Sequence, residues 1–76
     1  MAKIQLELGS RVRNLRKEKG LSQEAFASLA DIDRTYIADI EAGKRNVSLE
    51  VIAKLAVALN LTLAELFDGI SEVVRK

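Results

Sequence analysis

The chain has 76 residues, enough for one small core and close to the lower limit for folding without covalent staples. It contains no cysteine and no histidine, which excludes disulfides, thiol redox chemistry, Cys-based zinc sites and the commonest general base. Twelve basic against eleven acidic side chains leave a net charge of +1; an apolar fraction of 49% with no proline predicts an all-α bundle rather than a disordered chain. No apolar run approaches the length of a membrane span, and the charged N-terminus is unlike a signal sequence, so a reducing cytoplasm is the expected setting.

A first helix is predicted over residues 4–19, with Ile4, Leu8, Val12 and Leu15 on its core face and Gly20 as its stop. Arg16, Lys17 and Lys19 crowd its last turn, where they oppose the negative end of the helix dipole. A second, short helix follows over residues 23–30, capped by Ser22, with Phe26, Ala27, Leu29 and Ala30 turned inward. Asp31 sits where the reversing chain needs a residue that tolerates the left-handed region, and Ile32 plugs the turn. Asp33 caps a third helix over residues 34–42, in which Ile37 and Ile40 face inward and Arg34, Thr35, Ala38 and Asp39 face out. Ser48 caps a fourth helix with a stripe of Leu49, Ile52, Leu55, Ala56 and Leu59. Thr62 and Glu65 form a capping box for a fifth, whose apolar residues are Leu63, Leu66, Phe67 and Ile70. For residues 71–76 both a helical extension and a frayed end remain open.

Residues 21–43 carry the most information, because a short second helix with a polar, Arg-led outer face is what a major-groove reader needs. The segment resembles the helix-turn-helix of the lambda-repressor and Cro-like DNA-binding family. Its pattern is met by Leu21, Ser22, Gln23, Ala27, Ile40, Glu41, Gly43 and Lys44, with the motif at about residues 22–42 and the likeness covering about residues 9–67. The run from Asp33 to Ile37 and the following Gly43, Lys44, Arg45 and Asn46 look most like controller proteins of restriction–modification systems. Asp31 replaces the usual turn glycine, and Val47 replaces the usual proline. The resemblance implies one compact five-helix, lambda-repressor-like domain over residues 1–76. It also implies a homodimeric transcriptional regulator that binds palindromic duplex operators, with RNA polymerase as an optional further partner. No cofactor, metal, membrane or small-molecule ligand is expected.

The candidate DNA-facing set is Ser22, Gln23, Arg34, Thr35, Tyr36, Asp39, Lys44, Arg45 and Asn46. Gln23 stands in the first turn of its helix, where outward backbone N–H groups suit a phosphate, unless it is an ordinary exposed residue. Arg34 offers two planar donors that match guanine O6 and N7, and its rival reading is an ion pair with Asp31 or Asp33. Thr35 can meet a base edge or a thymine methyl. Tyr36 is divided equally between packing and phosphate contact. Asp39 can accept from cytosine N4 or orient Arg34 or Arg45. Lys44, Arg45 and Asn46 read as a phosphate clamp that sets register, against the alternative of a solvated loop. The family pattern also places Arg16 and Glu41 as a structural ion pair between the first and third helices.

Residues 1–45 hold nine basic and seven acidic side chains, residues 46–76 three and four, so a slightly basic half precedes a slightly acidic one. Val51, Val57, Leu61 and Leu63 are left over once the fourth helix's core stripe is assigned. They mark residues 48–70 as the expected dimerisation region. A Cro-like phage repressor or an antitoxin is the rival within DNA binding; a protein-interaction module is the rival from another class. An enzyme finds no convergent acidic cluster or phosphate loop to support it.

Overall fold

A computed structural model describes residues 3–70 as five helices joined by short turns, and residues 71–76, with the open question of their conformation, lie outside that range. The helices are α1 (Lys3–Glu18), α2 (Gln23–Ala30), α3 (Arg34–Glu41), α4 (Leu49–Ala58) and α5 (Leu63–Leu66). Among the described residues there is no strand, and no helix is long and apolar enough to cross a membrane.

The ends of these helices follow from local chemistry. Ser22, Asp33, Ser48 and Thr62 each adopt extended backbone and accept a hydrogen bond from an otherwise orphaned N–H of the first turn. Thr62 and Glu65 satisfy one another reciprocally. Helix α2 ends on Asp31 at φ 56°, ψ 47°, and the Ile32 N–H returns to the Ala27 carbonyl, so an aspartate fills the left-handed post where glycine is commoner. Asn60, not singled out from the sequence, does the same at φ 59° after α4.

Helix α1 packs on α3, α2 on both α3 and α4, and α5 on α4. Val12, Phe26, Ile37, Ile40, Leu55, Leu59 and Leu66 are fully buried between them, each stabilising the fold by about 1.5–3 kcal/mol relative to exposure. The α1–α3 crossing is close because Gly9 lacks a Cβ: one built there would meet the Ile40 and Glu41 carbonyl oxygens.

Three residues expected in the core are outside it. Ile4 is half exposed, Leu29 is 60% exposed and Leu49 is 71% exposed. Each lies in an end turn of its helix, the first turn of α1 or α4 or the last turn of α2. Phe67 and Leu63 are also exposed, leaving Leu66 as the buried anchor of α5.

Candidate nucleic-acid interface

Helix α3 projects a polar face because its two inward residues, Ile37 and Ile40, are fixed in the core three positions apart. Arg34 and Thr35 stand exposed in its first turn, and the Thr35 N–H is held by the Asp33 carboxylate at 3.0 Å. Among the described residues neither Asp31 nor Asp33 pairs with Arg34, so its guanidinium is not committed within the chain.

The other end of α3 is built differently. The Gly43 N–H donates to the Ile40 carbonyl and the Lys44 N–H to the Asp39 carbonyl, closing the helix with Gly43 at φ 76°. This turn sends Lys44, Arg45 and Asn46 out as exposed side chains. Arg45 then folds back. Its Nε donates to Asp39 Oδ2 at 3.2 Å, and its guanidinium lies 4.7 Å from the centre of the half-buried Tyr36 ring. Of the roles open to Asp39, the structure contains the orientation of Arg45. The tie to Asp39 uses only Nε and leaves the donors of the terminal amino groups available. Arg34 and Thr35 thus stand in the first turn of α3, while Lys44, Arg45 and Asn46 leave from beyond its last turn, with Arg45 reaching back as far as Tyr36.

Beneath this surface Arg16 and Glu41 form a two-pronged ion pair, Nε to Oε2 at 2.7 Å and Nη2 to Oε1 at 3.0 Å. Their side chains are 9% and 4% exposed. Arg16 Nη1 also donates to the Leu21 carbonyl at 2.8 Å, so one guanidinium joins the end of α1, the entry to α2 and the end of α3. Gln23 donates its amide to Glu41 Oε1 at 3.2 Å, which orients the first turn of α2 against α3. Ser22 is occupied as the cap of that turn, its Oγ accepting from the Ala25 N–H.

Arg13 was not singled out from the sequence. It is exposed and lines the same groove of about 220 Å³ as Arg16, Gln23, Ala38, Glu41 and Ala42. The available signal was its spacing, one turn before Arg16 on the same side of α1.

The four apolar residues assigned to a partner surface do not share one groove. Val57 is 77% exposed and lines an apolar groove with Leu29, Ala30 and Ala53 between α2 and α4. Leu61, half-buried, lines a separate groove with Ala64, Glu65 and Arg11. Val51 packs partly into the core, and Leu63 is exposed at the start of α5.

A short capped helix, a tight left-handed turn and a second helix with an exposed Arg-led face define a helix-turn-helix protein. The chain belongs to the helix-turn-helix family, whose model matches residues 12–66. It is similar to control protein C.MunI of a Mycoplasma species, with 49% identity over 73 residues that span 95% of this chain and 99% of that one. The restriction–modification controller protein C.AhdI from Aeromonas hydrophila has 51% identity and a TM-score of 0.80, over 83% of this chain and 96% of that one. Controller protein C.Esp1396I, solved as a tetramer with its natural 35 base-pair operator, has 26% identity and a TM-score of 0.86, over 92% of each chain. The expected family, the controller-protein likeness and the all-α fold are all upheld by these matches.

Proposed function

We propose that this chain is a sequence-specific DNA-binding transcriptional regulator of the restriction–modification controller type, working in the cytoplasm as a homodimer on palindromic operators. The observation that carries this reading is the uncommitted, exposed Arg34 in the first turn of a helix braced at both ends. Arg34 and Thr35 read base edges in the major groove. Lys44, Arg45 and Asn46, with Gln23 and the N-terminus of α2, hold phosphates and fix the register. Tyr36 and Asp39 set the direction of Arg45 rather than meeting DNA first. Likeness to control proteins over nearly the whole chain favours this role above that of a phage repressor or an antitoxin.

The test is selection from random duplexes followed by binding at several salt concentrations. A recovered two-fold symmetric motif, bound with steep salt dependence, is the expected outcome. No binding at low salt would instead favour a module that docks on another protein.

A further inference from the structure

Helix α5 is one turn long, and a single turn cannot hold its own direction. Its N-terminus is secured by the Thr62–Glu65 capping box, whereas of its last carbonyls that of Glu65 meets a backbone donor, the Asp68 N–H, at 3.3 Å. Two of them are met by one side chain from the other end of the sequence. Arg11 of α1 donates Nε to the Leu66 carbonyl at 3.0 Å and Nη2 to the Glu65 carbonyl at 2.7 Å, spanning 55 and 54 residues. A cation on the final carbonyls of a helix also complements its dipole.

We propose that Arg11 is a positioning residue that sets the pairing surface of α5, and through it the separation of the two reading helices. This rests on the dimer reading given above. Arg11 shares its groove with Leu61 and Ala64, and Leu63 lies one residue beyond the Thr62 cap, so the direction of α5 decides where these apolar residues meet a second copy. A two-fold interface repeats any tilt on both sides, which makes pairing more sensitive than folding to a loosened α5. The same α1 packs on α3, so Arg11 links the element that carries the reading helix to the element that pairs.

Sedimentation equilibrium of the full chain and its Arg11→Met and Arg11→Lys variants tests the proposal. Binding to the selected palindrome, to one half of it, and to palindromes with altered half-site spacing completes the measurement. Loss of charge-assisted hydrogen bonds predicts dimerisation weakened by about tenfold in Arg11→Met, with Arg11→Lys between it and the original. Half-site affinity stays within about twofold, because Arg11 bonds to α5 and is not among the residues proposed to face DNA. Discrimination between half-site spacings falls. A folded variant, Lys or Met, that dimerises as before and keeps its spacing preference overturns the proposal. So does an equal loss on half-site and palindrome, which marks a merely structural role. Leu63→Lys separates the two levels: if it abolishes dimers while Arg11→Met changes nothing, the dimer stands and Arg11 has no part in it. If the original chain is monomeric at every concentration, the dimer reading falls and the proposal falls with it.

Discussion

The Arg45 guanidinium lies over the Tyr36 ring, 4.7 Å from its centre, although the two residues sit on opposite sides of the helix end at Gly43. Asp39 holds the same guanidinium by its Nε edge at 3.2 Å. A phosphate-binding arginine that is already oriented loses less side-chain entropy on binding than a free one.

Under the proposed roles, Arg45 anchors and Arg34 reads. Arg45→Ala is expected to weaken binding to all duplexes and to lower the salt slope by about one unit. Arg34→Ala is expected to cost about 1–3 kcal/mol on the preferred site and to relax one base position per half-site. Titrations on the selected duplex and on point variants of it, at several salt concentrations, check both. An unchanged base preference in Arg34→Ala would show that α3 does not read DNA through this residue.

The two ion pairs differ in what they do for the fold. Removing Glu41 strands a buried Arg16, so Glu41→Ala is expected to cost about 3–5 kcal/mol. The Asp39–Arg45 pair is 31% and 47% exposed, so Asp39→Ala is expected to cost under about 1 kcal/mol. Thermal and urea unfolding of the two variants measure the difference. Equal, small losses would mean that Glu41 does not hold α1 to α3.

Which of these features the sequence discloses depends on their range. The caps at Ser22, Asp33, Ser48 and Thr62 act within three residues, so composition and spacing reveal them. The left-handed Asp31 was legible for the same reason, and Asn60 carried the same signal unread. Helical periodicity assigned Leu29 and Leu49 to the core because it sees the face of a helix but not which of its end turns a neighbour covers. The pairing of Arg16 with Glu41 came through family likeness, since 25 residues separate them. The grip of Arg11 on α5 and the stacking of Arg45 on Tyr36 depend on three-dimensional placement and had no local sign.

Gly9 offers a test of how closely α1 must approach α3. An added Cβ would press on the backbone oxygens of Ile40 and Glu41, which cannot yield as a flexible side chain does. Gly9→Ala is expected to destabilise by about 1–3 kcal/mol and to disturb the buried ion pair nearby. Gly20→Ala meets nothing within 4 Å and carries only the strain of φ 70°, about 1 kcal/mol. Denaturant midpoints of the two variants decide the matter; a Gly9→Ala protein as stable as Gly20→Ala would mean that the helices separate freely.

Dimerisation has two candidate surfaces, because the leftover apolar residues do not form one patch. Leu61 and Leu63 flank the start of α5, beside the groove that Arg11 borders. Val57 lines a separate groove, which it shares with Leu29 and Ala53. A reader of palindromic DNA needs its two recognition helices about 34–36 Å apart on one face of the duplex. Helix α5 contacts α4 and is tied to α1, so pairing through it leaves the α2–α3 reading unit unobstructed. Leu63→Lys places a charge on the proposed pairing surface and is expected to raise the dimer dissociation constant by about a hundredfold, through burial of an unpaired ammonium. Val57→Lys is expected to change it by less than about threefold, as ordinary surface substitutions do. Sedimentation at micromolar concentration compares the two directly. If Val57→Lys gives monomers and Leu63→Lys gives dimers, the chain pairs through the α2–α4 groove, and α5 is not its partner surface.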